Sequence, residues 1–177
     1  MSMDIMKIVF SFGRINPPTS GHRKLVDQLC LEASKQNASA RLYLSKTQDS
    51  KRNPLSPENK LSVVQTIFPK IEVRLAQTIF SAIADIENDG YDEAIFYCGA
   101  DRYESFSNSL TSYIGTEINL KSLEIKKIER LDEDVSASKA REAAWNNDWK
   151  SFCEFSASTN EKINNNIFVE IRNMMGV

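Results

Sequence analysis

Short apolar runs alternate with helical patterns about five times along this chain, and that alternation limits the fold more than any single motif. The runs are Ile5-Met-Lys-Ile-Val-Phe10, Arg41-Leu-Tyr-Leu44, Ile71-Glu-Val-Arg-Leu75, Ala94-Ile-Phe-Tyr-Cys98 and Leu123-Glu-Ile-Lys-Lys-Ile128. The first and fourth are apolar on successive positions, as strands buried on both faces are. Between them lie patterns of helical period. Leu25, Leu29 and Ala33 recur every fourth position from about Ser20 to Gln36. Ser56-Pro57-Glu58 is a helix start, with a capping serine, proline at the first helical position and an acid in the first turn. Its helix carries Leu61, Val64 and Ile67 and stops before Pro69. Ile79, Ile83 and Ile86 mark a helix over Thr78–Asn88, and Tyr103, Phe106 and Leu110 another after Gly99. Strand and helix in this order predict a five-stranded parallel sheet covered by helices, of class α/β, joined by right-handed crossovers. Asp148–Phe155 and Glu161–Met174 extend the chain as helices. One domain over 1–177 is expected, with helices from about 138 to 177 packed on it.

In such sheets ligands sit beyond the carboxyl ends of the strands. Polar stretches occupy those ends: Gly13–His22, Ser45–Lys51 and Gly99–Arg102, with Ser136–Arg141 following the fifth strand by one loop. The first reads Phe10-Ser-Phe-Gly-Arg-Ile-Asn-Pro-Pro-Thr-Ser-Gly-His22. Gly13 and Gly21 permit close backbone approach to an anion. Pro17-Pro18 forces the helix to begin after it. Thr19 or Ser20 can cap that helix, leaving N–H groups for a phosphate. The chain's single histidine, His22, falls in its first turn, in reach of the same phosphate as a donor. A capped helix with a surface histidine meets the same pattern, and Arg14 is equally compatible with solvent.

In Val135-Ser-Ala-Ser-Lys-Ala-Arg141, Ser136 and Ser138 are both candidate N-caps. Ser138 and Arg141 are three apart and share a helix face, a set suited to phosphate oxygens or to plain capping. Gly99 would let a flat base approach the backbone. Asp101 could cap the next helix or bind the nucleoside. Lys46 and Lys51 follow the second strand, able to reach a phosphate or simply to be solvated, and Lys139 is expected in solvent. The acidic Asp132-Glu-Asp134 is expected to be a solvated loop, so no protein metal cage is expected.

Composition narrows the partners. A net charge of -2 with 26% charged residues does not suggest a nucleic-acid coat. No apolar run approaches the roughly 20 residues of a membrane span. Met1-Ser-Met-Asp leads straight into the first apolar run without a leader pattern. Cys30, Cys98 and Cys153 sit inside apolar patterns and are expected as buried free thiols. A reducing, cytoplasmic setting is therefore expected.

Asn16-Pro-Pro-Thr-Ser-Gly-His22 resembles the (H/T)xGH signature of the nucleotidylyltransferase superfamily, and Val-Ser136-Ala-Ser138-Lys-Ala-Arg141 its ISxTxxR signature. Gly-Arg-Ile-Asn-Pro-Pro-Thr is most similar to the nicotinamide-mononucleotide adenylyltransferase-like branch. Asn53-Pro-Leu-Ser-Pro-Glu and Gly-Ala-Asp-Arg resemble a compact cytidylyltransferase-like group of tailed bacteriophages. The resemblance implies a Rossmann-like fold and transfer of a nucleoside monophosphate from ATP or CTP to a phosphorylated small molecule, with Mg²⁺ arriving on the triphosphate. It implies that His22 contacts the reacting phosphates and that Thr19 replaces the commoner first histidine. Ser136, Ser138 and Arg141 would hold the outer phosphates, helped by a lysine such as Lys46. Phe12, Gly13, Arg14, Asn16 and Gly21 would wrap the nucleotide, and Gly99 and Asp101 would lie by the base and ribose. It implies the host cytoplasm if the chain is viral, and is compatible with a homo-oligomer. AMP transfer to an acceptor such as nicotinamide mononucleotide is favoured. A cytidylyltransferase for a small phosphorylated alcohol, or a phage protein that binds nucleotide without turnover, are the alternatives.

Overall fold

A computed structural model describes residues 4–128 and 133–177, the side chains of 133–136 excepted. Five strands form one sheet: β1 (Lys7–Gly13), β2 (Ser39–Ser45), β3 (Glu72–Ala76), β4 (Glu93–Gly99) and β5 (Ser122–Ile128). Every pairing is parallel, as the alternation predicts, and the order β3-β2-β1-β4-β5 is a doubly wound arrangement. The connecting helices are α1 (Ser20–Gln36), α2 (Pro57–Ile67), α3 (Ile79–Asn88) and α4 (Ala100–Thr111). The helices α5 (Glu133–Trp145), α6 (Trp149–Phe155) and α7 (Glu161–Met175) follow β5.

Strand alternation sends successive residues to opposite faces. Val9, Leu42, Leu44 and Val73 meet Leu25, Val26 and Leu29 of α1 on one side. Ile8, Phe10, Tyr43 and Phe96 meet Ala82, Ile83 and Ile86 of α3 on the other. A third cluster joins the C-terminal helices to the domain, with Ala140, Ala143 and Ala144 of α5 packed with Phe152, Phe168 and Leu55. Small residues on that stripe let α5 approach closely. Arg172 Nη1 of α7 donates to the Ala144 carbonyl at 2.7 Å, a cation at the carboxyl end of α5 where the helix dipole favours one.

The register shows where the sheet opens. β1 pairs with β2 through Gly13↔Leu44, and β4 with β5 through Gly99↔Ile128. The β1–β4 pairing ends earlier, at Phe10↔Phe96. Beyond it the two strands are joined by Ser11 Oγ, which donates to the Tyr97 carbonyl at 2.8 Å. The crevice between the carboxyl ends of β1 and β4 is the switch point in strand order.

One expected helix start is corrected. Ser136 and Ser138 do not cap α5, because the helix already runs from Glu133. Acids are favoured in a first turn, and nothing in Val135–Ser138 breaks a helix. Glu133 and Asp134 are thus helical rather than loop, and Asp132 lies outside the described residues. Asp101 does not cap α4 either: the N-cap is Gly99, and Asp101 is the second helical residue.

Candidate nucleotide site

A cavity of about 430 Å³ fills the switch-point crevice. Its walls come from four places far apart in sequence: Ser11–Asn16 with His22, Arg52, Cys98, Gly99, Asp101 and Arg102 with Phe106, and Ala137 with Arg141. Of the residues singled out by sequence, Phe12, Gly13, Arg14, Asn16, His22, Gly99, Asp101 and Arg141 meet there. Thr19, Gly21, Lys46 and Ser138 are not among the described lining residues. Ser136 lies outside the described side chains.

His22 is 3% exposed and sits in the third position of α1. Its Nδ1 accepts from the backbone N–H of Thr19 at 2.9 Å, and Thr19 Oγ1 is 3.1 Å away. A backbone N–H can only donate, so Nδ1 is the bare nitrogen and the proton of the neutral ring is on Nε2. Burial, and secondly the charge of Lys60, push the His22 pKa down to about 3. The ring at the cavity wall is a neutral donor, neither an imidazolium nor a base of ordinary strength. Thr19, itself 0% exposed, acts on the site by fixing this ring.

The opening loop is held from several sides. Asn16 Oδ1 accepts from Leu55 N at 2.9 Å, and its Nδ2 donates to the Leu55 carbonyl at 3.3 Å. The Asn16 side chain therefore staples the loop to the start of α2, leaving its carbonyl to face Arg141. Ile15 has φ +46°, a left-handed conformation uncommon for a β-branched side chain. A Cβ at Gly13 would meet Ile15 at an ordinary 3.6 Å, so sterics within the protein do not require glycine there.

Arg141 joins the two expected halves. Nη1 donates to the Asn16 carbonyl at 2.9 Å, and Nη2 to Ser138 Oγ at 3.1 Å, the shared helix face made visible. Ser138 faces a neighbouring hollow with Lys51, Glu142 and Trp145, of which Arg141 is also a wall.

Three features were missed by sequence reasoning. Arg52 reaches the cavity where Lys46 does not, Lys46 being exposed at the end of β2. The loop carrying Arg52 is organised by Asp49, whose Oδ1 accepts from Arg52 N at 2.7 Å and Lys51 N at 2.9 Å. Arg102, on α4, lines the cavity with its guanidinium carbon 4.9 Å from the Phe106 ring centroid. Lys60 is completely buried on α2, where its Nζ donates to the Arg14 carbonyl at 2.6 Å and the Ser45 carbonyl at 2.8 Å. Its signal was present: Lys60 stands four residues before Val64, on the apolar stripe of that helix.

Among its described lining residues the cavity is rich in cations and holds one carboxylate, Asp101. Among the described residues no group of three or more His, Cys, Asp or Glu could hold a metal ion alone. Cys98 lies in the wall, but burial, then Asp101, pushes its thiol up to about 11, so it is not a thiolate nucleophile. Cys30, Cys98 and Cys153 are all free thiols, with Cys98 buried and the others half-buried. No helix among the described residues is long and apolar enough to cross a membrane.

No protein-family model and no curated protein matches this chain. Solved structures do. A bifunctional NMN adenylyltransferase/ADP ribose pyrophosphatase from Francisella tularensis matches over 97% of this chain and 53% of its own, at 10% identity and TM-score 0.63. The same protein complexed with AMP and Mn ion matches at TM-score 0.64, 10% identity, over 97% of this chain and 52% of its own. Thermotoga maritima TmcAL bound with alpha-thio ATP matches over 95% of this chain and 56% of its own, at 12% identity and TM-score 0.59. The chain spans about half the length of these structures. At such identities the likeness is one of fold: a Rossmann-like α/β domain shared with structures that carry AMP in one case and an ATP analogue in another.

Proposed function

We propose that the protein is a nucleotidyltransferase. It moves a nucleoside monophosphate, AMP in preference, from a nucleoside triphosphate to a phosphorylated acceptor such as nicotinamide mononucleotide, releasing pyrophosphate. One observation carries this reading: Arg141 and Asn16, each inside one of the two resembling segments, bond to each other at the mouth of a cavity at the sheet's switch point. The fold shared with structures holding AMP and alpha-thio ATP supports it.

The residues suit direct transfer. A phosphate-monoester acceptor is largely ionised at neutral pH, so one of its oxygens attacks the α-phosphorus without a base. The new O–Pα bond forms as the bond from Pα to the bridging oxygen breaks, and that oxygen leaves on pyrophosphate. The protein's part is placement and charge neutralisation. The Nε2–H of neutral His22 donates to an oxygen of the α-phosphate. Arg14, Arg52 and Arg141 offset the charge of the outer phosphates. Gly99 would leave room beside the base, and Asp101 would lie by the ribose. Magnesium fits this donor set, since an ion carried in on a triphosphate needs only one or two carboxylates from the protein, and among the described residues Asp101 would supply one. Such an ion draws electron density from the phosphates and offsets their charge.

The test is a panel of phosphorylated acceptors against ATP and CTP with Mg²⁺, read by pyrophosphate release. ATP with a nucleotide acceptor is expected to turn over, and His22→Ala to lower the rate by about 10²-fold or more. Turnover only with CTP and a phosphorylated alcohol would move the assignment to cytidylyl transfer. Tight triphosphate binding with no turnover across the panel would leave a binding protein.

A further inference from the structure

Lys60 has no part in the transfer just described, yet it lies directly beneath the loop that forms the cavity. Its two acceptors sit at the carboxyl ends of neighbouring strands: Arg14 is the first residue beyond β1, and Ser45 the last of β2. A buried ammonium is costly, and an apolar side chain would serve the packing of α2 beside Val64 at least as well. An apolar side chain could not donate to two carbonyls. The Arg14 carbonyl also immediately precedes Ile15, the residue in the left-handed conformation, so Lys60 grips the peptide at which the loop turns.

We propose that Lys60 is a positioning residue. Its ammonium holds the Arg14–Asn16 turn in shape for the cavity. The kinetic consequences rest on the nucleotidyltransferase reading; the effect on His22 does not. Among the described residues, Arg14 from the loop acts on Lys60, and Lys60 acts on His22. Burial, then Arg14, pushes the Lys60 ammonium down to about 8, and Lys60 adds to the burial that lowers His22. A triphosphate above the loop brings negative charge and favours the ammonium. Loss of the Lys60 proton therefore belongs to the free protein. It places an alkaline limb near pH 8 in kcat/KM and moves it upward in kcat.

The single histidine makes the test direct. Protein labelled with ¹⁵N-histidine is titrated by NMR as wild type, Lys60→Met and Lys60→Arg. Wild type and Lys60→Arg are expected to keep the Nε2–H tautomer to low pH, and Lys60→Met to raise the pH at which His22 titrates. In pyrophosphate release, Lys60→Met is expected to lose about 10²-fold in kcat/KM. Lys60→Arg should recover to within about tenfold and lack the limb near pH 8, because arginine does not titrate there. A folded Lys60→Met protein with unchanged His22 titration and unchanged kcat/KM overturns the proposal. If Lys60→Met does not fold, a limb near pH 8 that persists in Lys60→Arg overturns it instead. A shifted His22 in Lys60→Met, in a protein that transfers nothing, would sink the enzyme reading and leave the positioning role standing.

Discussion

Arg141 donates to the carbonyl oxygen of Asn16 at 2.9 Å, across 125 positions of sequence. That bond ties the C-terminal helices to the loop after β1. Both partners are themselves fixed: Asn16 by its paired bonds to Leu55, and α5 by Arg172 at its end. The cation at the cavity mouth is thus placed before any ligand arrives.

Arg141→Ala removes the charge together with the bonds to the Asn16 carbonyl and Ser138 Oγ. It is expected to cost about 1–3 kcal/mol of stability, the range of a charge-assisted bond, and at least about 10²-fold in kcat/KM. Arg141→Lys keeps the charge but not the fork that reaches Asn16 and Ser138 at once, so it should restore little activity. Thermal melts and pyrophosphate release measure the two effects. Full activity in Arg141→Lys would mean that a point charge suffices.

His22 should leave a mark on acid stability. The unfolded histidine takes up a proton near 6.5, the folded one only near 3. Between those values the unfolded chain holds the extra proton, so stability falls as pH drops through the window, by at most about 1.4 kcal/mol per pH unit. His22→Gln leaves an acceptor for the Thr19 N–H and removes the titration. Urea midpoints from pH 6.5 to 4 should fall more steeply in wild type than in the variant. Parallel curves would show that His22 protonates inside the fold.

Strand and helix order could be read from apolar period alone, and Ser56-Pro57-Glu58 located the start of α2 to the residue, Ser56 Oγ accepting from Asn59 N at 3.2 Å. The serines of α5 misled because a hydroxyl suits a cap and also tolerates a helix interior; Ser138 spends its oxygen on Arg141. Lys46 and Arg52 could not be ranked, since the path of a loop depends on bonds such as those to Asp49, which has no periodic signature. Lys60 was legible as a charge on an apolar stripe, but its partners, two carbonyls from other strands, exist only once the sheet is assembled.

Asp49 holds the backbone of the loop that carries Arg52 into the cavity wall. Its carboxylate accepts from Asn53 Nδ2 and from the backbone N–H groups of Arg52, Lys51 and Asn53. The bonds from the Asn53 side chain and then the Arg52 backbone hold its pKa below the ordinary range. The support is therefore complete above the unfolded value of 3.8 and is lost as pH falls through the lower folded value. Asp49→Ala should raise the KM for triphosphate about tenfold, with kcat changed little and stability reduced by about 1 kcal/mol. An unchanged KM would show that Arg52 is placed by other means.

Gly99 needs to be glycine for space rather than for backbone freedom. Its φ of -62° and ψ of 150° suit any residue. A Cβ there would stand 2.7 Å from Asp101 Oδ1, closer than such atoms come, and the carboxylate, at the end of a short flexible side chain, would swing away. Gly99→Ala should therefore fold with a stability change within about 1 kcal/mol. It should displace the Asp101 carboxylate from its place in the cavity wall and raise the Mg²⁺ concentration needed for half-maximal pyrophosphate release by about tenfold or more. Asp101→Asn tests the same group without touching Gly99. If that variant matches wild type in its Mg²⁺ dependence while Gly99→Ala does not, the glycine serves the base, and Asp101 has no part in holding the metal.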